Sequence, residues 1–550
     1  MLVCSALATD GSAVAGFRFD GERTVAYDGK EAVDVGIRIS LELPPTPDPQ
    51  WLVPGVFYGE NRPEACRRLY PRFTPGRVDV ARMESDAWSF RADRCATPAV
   101  FARAGGLVTT ELSPLGQSGV GFAYRDGRPT IWLDFPYREE PLRYDGSETP
   151  APCDVRTHRW QPGDRVALDI SRNDGDWRTV LRPARDSVRP AAWVTVEEAA
   201  ELAAWGLYRW HYKPDPARLV ETCTFDGAVE RDHMHVSWVS GVPYAYALLR
   251  HGRRVGNAEY VDAAESVLDH VAANLAPGGT FWPQWTRDRG WTWAWHRDRN
   301  RAHARTLADA TLFMLRAGGR WEDAARSNLA VAMRTQRADG ALPAAHRLDD
   351  GEPASWDGTA GMSWIPALVA GGHLDEARRA GAYYAGFDWW YGAPEDVDLA
   401  PTSEDGYAAV MAFVALEEWD EARRAADWML TFRYSYDVDF DPGTTLGRYR
   451  FRSLGADQAS VANQHLHAFG LVCLPELIRL GETYRTSALQ HLECFRQFVA
   501  RSDGDFGARR GMAVERYLQT DCFGPKGTLD PLSHAWSIGV LLYACEELLA

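Results

Sequence analysis

Residues 33 to 43 read VDVGIRISLEL, so that Val33, Val35, Ile37, Ile39, Leu41 and Leu43 fall on alternate positions against mostly polar neighbours. That is the period of a half-buried strand. The segments Thr130 to Pro136 and Arg165 to Ser171 repeat the signature more weakly, and Pro, Gly and Asp punctuate the whole of the first 190 residues. The pattern predicts an antiparallel β-sandwich over residues 1–190.

After Arg189-Pro190 the period changes. Thr195-Val-Glu-Glu198 is a capping box opening an Ala-rich run. From there two kinds of helix alternate. One kind is rich in Glu, Asp and Arg and has one wet face: 196–210, 257–275, 321–337, 374–388, 418–433 and 482–501. The other is nearly free of charge and must be buried on most sides: 234–250, 304–317, 358–370, 405–416, 462–479 and 533–549. Openings such as Trp321-Glu-Asp-Ala-Ala, Leu374-Asp-Glu-Ala-Arg and Trp419-Asp-Glu-Ala-Arg start successive wet helices, at intervals of roughly 45 to 65 residues that suit an array of helical pairs. The expected fold is multidomain: the sandwich, then an all-α (α/α)6 toroid over residues 191–550. An open solenoid of the same period is the alternative.

Composition narrows the function. A formal net charge of -16 argues against nucleic acid or an anionic membrane as partner. The N-terminus has neither a basic n-region nor a sustained apolar stretch, and no run reaches membrane-spanning length. Nine scattered Cys without metal-type spacing read as free thiols in a reducing compartment, so the expectation is a cytoplasmic protein without cofactor or metal. With 22 Trp in the chain, a large core or an aromatic-lined cleft is expected. The oligomeric state is not legible.

The segments before the six uncharged helices converge on one end of a closed ring. They run Arg231 to His235, Trp291 to Arg305, Trp356 to Gly358, Pro401 to Gly406, Gly455 to His467 and Lys526 to His534, all dense in acids, His, Trp and amides. A ligand pocket needs convergent polar groups over apolar walls, whereas a helix turn does not. Flat indoles stack on sugar rings, which points to carbohydrate and to Trp291, Trp293, Trp295 and Trp356 as binding residues, with Arg305, Gln458, Asn463, His233, His465 and His467 beside them.

Glycoside hydrolysis needs two carboxyls. Glu404, at the first turn of an almost chargeless helix, is the expected general acid, because desolvation raises a carboxyl pKa. Asp457 is the expected partner, with Asp357, Asp232 and Asp405 behind it. For Glu404 and Asp405 the plain reading is a helix cap. His465 and His467, like His233 and His235, stand two apart and would point to different faces of a helix, which argues against a metal. The basic runs Arg297 to Arg305 and Arg448 to Arg452 read as solvated loops or as contacts for an anionic substrate.

This organisation resembles the six-hairpin glycosidase superfamily, whose glucoamylases, α-L-rhamnosidases and sugar phosphorylases place a β-sandwich ahead of an (α/α)6 barrel. The resemblance covers architecture over most of the chain, and no motif maps residue by residue onto a characterised member. It implies paired carboxylates at the barrel mouth and sandwich loops closing one side, here Tyr58 to Arg62 and Trp88 to Arg94. The expected activity is an exo-acting glycoside hydrolase on short oligosaccharides, uronate-containing ones included, with a phosphorylase as a variant. A lyase on the same toroid would use a His or Tyr base with Arg and Asn neutralising a uronate, from among Asn463, His465, Arg305 and Tyr407. A helical-barrel epimerase would pair His465 with His233. A noncatalytic scaffold is opposed by polar, aromatic loops confined to one end.

Overall fold

The computed structural model describes every residue except 65, 67, 147, 182–191, 295–298 and 391–399. The expected boundary after residue 190 therefore lies outside the described residues, as does Trp295.

The alternation at residues 33–43 becomes the strand Val33–Glu42, with Val35, Ile37, Ile39 and Leu41 buried and Arg38 and Ser40 only partly so. It pairs antiparallel with Leu2–Leu7 on one side and Arg128–Phe135 on the other, and Gly119–Arg125 and Ala87–Arg91 extend the sheet. A second antiparallel sheet runs Ser171–Asn173, Gly105–Val108, Ala99–Ala102, Leu52–Val53, Phe57–Tyr58. The two meet through aromatic rings. Trp51 stacks on Phe122 at 4.3 Å, and Phe57 meets the same ring edge-on at 4.9 Å. Full burial of side chains of this size is worth roughly 1.5–3 kcal/mol each. The single strand expected around Arg165 to Ser171 is two: Arg165–Ala167 pairs with Thr24–Tyr27, and Ser171–Asn173 with Gly105–Val108.

Among the described residues, twelve helices then build two layers: α1 (Val196–Gly206), α2 (Val242–Val255), α3 (Ala258–Ala272), α4 (Ala304–Ala317), α5 (Glu322–Thr335), α6 (Trp364–Ala370), α7 (Leu374–Tyr384), α8 (Ser403–Ala415), α9 (Trp419–Met429), α10 (Leu474–Arg479), α11 (Glu482–Phe495) and α12 (Ala535–Leu549), with one further short helix, Thr445–Arg448, between α9 and α10. The even-numbered helices touch in the order α2, α4, α6, α8, α10, α12, and α12 returns to α2. Each also packs on the charged helix that follows it, and α12 packs on α1. Composition explains the layering: α12 is buried from Ala535 to Glu546, whereas α9 buries Ala422, Ala425 and Ala426 and leaves Asp420 and Arg423 in solvent. The capping box that opens α1 is present, with the Glu198 amide donating to Thr195 Oγ1 at 3.2 Å and the Thr195 amide to Glu198 Oε2 at 2.8 Å.

Three of the even-numbered helices begin later than periodicity predicts; α6 starts at Trp364, after the 3-10 turn Ala360–Ser363, against an expected start at 358. Residues 233–235 pair as a strand with Gln284–Thr286, and α2 starts only after Gly241, with Pro243 in its first turn. Residues 462–468 hold the strand Leu466–His467, paired with Asp457–Gln458, then a short 3-10 turn Phe469–Cys473 before α10. His233 and His235 therefore lie on a strand, where positions two apart share a face, and His465 and His467 straddle the start of another, so neither pair is helical. The helical premise used against metal binding by these pairs does not hold.

The sheets and helices share a polar seam. Tyr434 OH donates to the Asp93 carbonyl at 2.8 Å, Arg94 Nη1 to Gln464 Oε1 at 2.9 Å, and Lys526 Nζ to Asp93 at 3.1 Å. Tyr58 and Thr431 bond through their hydroxyls at 2.6 Å. The segments Tyr58 to Arg62 and Trp88 to Arg94 thus abut the helical part, although Trp88 itself is buried between the sheets. Among the described residues no helix is long and apolar enough to cross a membrane, and all nine cysteines are free thiols.

Candidate active site

A pocket opens where four of the connections into even-numbered helices meet. Trp238 comes from the turn before α2, Thr402 and Glu404 from the start of α8, Ser460, Asn463, His465, His467 and Phe469 from the approach to α10, and Glu515, Arg516 and Trp536 from the approach to α12. Trp238 and Trp536 meet through Phe469, at 5.9 and 5.5 Å between ring centroids.

The first turn of α8 sets the acid group. Thr402 Oγ1 accepts from the Asp405 amide at 3.2 Å, and Asp405 Oδ2 accepts from the Thr402 amide at 3.1 Å. Asp405 is thereby occupied as the capping partner, and Glu404, one residue earlier, faces the pocket. Its carboxylate is paired with Arg305, which is 3% exposed. The guanidinium lies 4.7 Å from the Phe469 ring centroid and 5.1 Å from that of Trp238. Arg305 Nε also lies 3.4 Å from Asp309 Oδ2, so protonating Glu404 would leave this buried cation with one carboxylate instead of two, which is costly. The ion pair therefore works against the proton-donor role expected of Glu404.

The two histidines differ. His467 accepts the Phe469 amide on Nδ1 at 3.0 Å, which leaves the proton of the neutral ring on Nε2, 3.3 Å from Ser403 Oγ. Burial lowers its pKa to about 3, against the raising effect of Asp457. Burial, then Arg516 and His467, push His465 well below the ordinary imidazole value. Its Nδ1 is buried with no hydrogen-bond partner among the described residues. Both rings are thus neutral at neutral pH. The Asn463 amide and the Arg516 guanidinium line the same space.

Asp457 is elsewhere. Arg433 grips it with bonds of 2.7 and 2.9 Å, Tyr407 OH donates at 2.8 Å, and His491 Nε2 lies 3.6 Å away. Burial raises its pKa, but Arg433 and His491 outweigh that and hold it at about 2. Gly470 covers this pair, and a Cβ there would fall on the Asp457 carboxylate. Gln458 is fully buried and bonds to Gln519 at 2.9 Å and to the Gly55 carbonyl across the seam.

The remaining candidates are not brought to the pocket. Asp232 is bound by Arg218 at 2.7 and 3.0 Å and by Arg287, and these bonds outweigh burial to lower its pKa. Asp357 is exposed and accepts from Ser355 Oγ at 3.0 Å. His233 is half-buried and paired in register with Thr286. Trp291 packs on His270 at 4.9 Å, Trp293 lies near Arg289 and Arg299, and Trp356 lies under Arg337. Arg448, Arg450 and Arg452 are exposed. Sequence reasoning missed Trp238, Phe469, Glu515, Arg516 and Trp536. The Gly241-Val-Pro243 signal marks the late start of α2 and hence a loop position for Trp238.

No protein-family model matches the chain, and no curated protein matches it in sequence with significance. Solved structures do match in shape. A D-mannose isomerase is 16% identical with a TM-score of 0.46, covering 64% of this chain and 97% of its own. A polysaccharide lyase is 10% identical with a TM-score of 0.47, covering 100% of this chain and 92% of its own. The cellobiose 2-epimerase of Spirochaeta thermophila is 10% identical with a TM-score of 0.43, covering 64% of this chain and 98% of its own.

Proposed function

We propose that the chain is a carbohydrate-active enzyme with a β-sandwich over residues 1–190 and an (α/α)6 toroid over residues 191–550, and that its pocket removes the proton beside a uronate carboxyl to cleave the glycosidic bond by β-elimination. One observation carries this reading: a neutral His465, whose buried Nδ1 has no hydrogen-bond partner among the described residues, shares the pocket with Asn463 and Arg516. The His465 imidazole takes the ring proton, the carbon–hydrogen electrons form the ring double bond, the bond to the leaving oxygen breaks, and that oxygen is protonated by the imidazolium or by solvent to leave as a hydroxyl. Asn463 and Arg516 hold the uronate carboxylate and carry the negative charge that builds there. Trp238 and Trp536 supply apolar faces for the sugar rings.

The test is to incubate the purified protein with uronate-containing and neutral oligosaccharides while recording the ultraviolet absorbance of unsaturated uronates. A rise with uronate substrates alone, lost in His465→Gln, is the expected result. New reducing ends without absorbance would overturn it.

A second reading is favoured by Glu404 and Glu515, the two carboxyl side chains that line the pocket. In a paired-carboxylate glycoside hydrolase the Arg305 ion pair suits Glu404 to the base or nucleophile role, and Glu515 becomes the acid.

A further inference from the structure

The pocket wall at Glu515 continues into a second group of potential ligands. Glu515, Asp530 and His534 each place one oxygen or nitrogen so that all three atoms lie within 4.8 Å of one another. Glu515 comes from the segment after α11, and Asp530 and His534 from the approach to α12. His534 is pinned by the strand Leu532–His534, which pairs with Thr222–Thr224.

The histidine shows that the cluster is more than a collection of surface acids. His534 is 3% exposed, and its Nε2 has no hydrogen-bond partner among the described residues. That nitrogen lies 3.4 Å from Glu515 Oε2. A buried polar atom left without a partner costs roughly 1–3 kcal/mol, so an uncompensated nitrogen aimed at a carboxylate calls for a bridging group.

Charge points the same way. Glu515 and Asp530 bring two carboxylates, and the cation beside them is Arg516, with Nε 3.3 Å from Glu515 Oε2. Arg231 is taken by Glu221 at 2.9 Å.

We propose that Glu515, Asp530 and His534 form a binding site for a divalent cation in the wall of the pocket. One imidazole and two carboxylates make a mixed donor set of the kind that takes Zn²⁺ or Mn²⁺ and leaves coordination positions open. Glu515 also lines the pocket, so the site adjoins the space in which a substrate would lie. The three residues match no metal-ligand spacing in the sequence, so the site is assembled by the fold alone.

The test is calorimetric titration of the chelator-treated full chain with Zn²⁺ and, separately, with Mn²⁺ followed by electron paramagnetic resonance. The site predicts saturable binding of one ion per chain. Asp530→Asn, a partly exposed and conservative change, weakens it by at least about tenfold, and Glu515→Gln does the same, with circular dichroism of both variants like that of the wild type. No saturable binding of either ion by the wild type, or binding unchanged in both variants, would overturn the proposal. The readout involves no turnover, so it stands or falls independently of the reaction assigned to the pocket.

Discussion

Replacing Asp457 by Asn isolates the buried ion pair beside the pocket. The Asp457 and Arg433 side chains are each 1% exposed and are joined by bonds of 2.7 and 2.9 Å, with Tyr407 OH adding a third at 2.8 Å. Asn preserves the volume and an acceptor for Tyr407. It leaves the guanidinium with the Ser487 carbonyl, 2.9 Å from Nη1, as its remaining acceptor. Breaking a buried pair from one side costs roughly 3–5 kcal/mol. The depression of the Asp457 pKa from 3.8 to about 2 corresponds to about 2 kcal/mol, a smaller figure because it omits the stranded Arg433. The folded-state pKa lies below the unfolded one, so the stabilisation is complete above about pH 4 and is lost as pH falls toward 2. Urea unfolding followed by tryptophan fluorescence should show Asp457→Asn less stable by about 3 kcal/mol at pH 7, with the difference narrowing below about pH 4. Turnover per folded molecule should change by less than about tenfold, since Asp457 does not line the pocket. Stability within about 1 kcal/mol of the wild type, combined with a rate loss of about 10² or more, would refute this and place Asp457 in the chemistry.

Three further outcomes follow from the geometry. His465→Gln should lower the rate by about 10² to 10⁴ with unfolding unchanged, and the wild-type kcat/KM should stay flat as pH falls through the ordinary imidazole value of about 6.5, because the folded ring is already neutral there. Thr402→Ala removes the cap that orients Glu404 and should cost about 1 kcal/mol in thermal or urea unfolding, with a larger effect on rate than on stability. Glu111, buried beside Lys526 in the seam between sheets and helices, has its pKa raised from 4.5 to about 7, chiefly by burial. A carboxyl whose folded pKa is raised loses stability as pH climbs between those values, so Glu111→Gln should flatten that slope in a pH series of unfolding curves.

Much of the architecture is legible in composition. Helices such as 405–416 and 533–549 carry little charge because nearly every face is covered, and helices such as 418–433 carry Asp, Glu and Arg because one face is wet, so the alternation of the two kinds traces the observed layers. The site is only half legible. Glu404, Asn463, His465 and His467 are found from their place before uncharged helices. Asp457 occupies an equivalent place, yet its partner Arg433 comes from the turn after α9 and is invisible to local reasoning. Trp238 and Phe469 are read as helix interior because their surroundings are apolar, whereas β pairing by His233–His235 and Leu466–His467 holds those stretches extended. Glu515 and Arg516 lie in a segment with no periodicity at all, which only tertiary contacts bring to the pocket.

The central claim, elimination by a neutral His465, is tested most directly by running the reaction on a uronate-containing oligosaccharide in ¹⁸O-labelled water and weighing the products. Elimination breaks the bond without adding water, so the two product masses sum to that of the substrate and neither carries label from the cleavage. One ¹⁸O incorporated per bond cleaved would mean hydrolysis, contradict the account, and transfer the chemistry to Glu404 and Glu515.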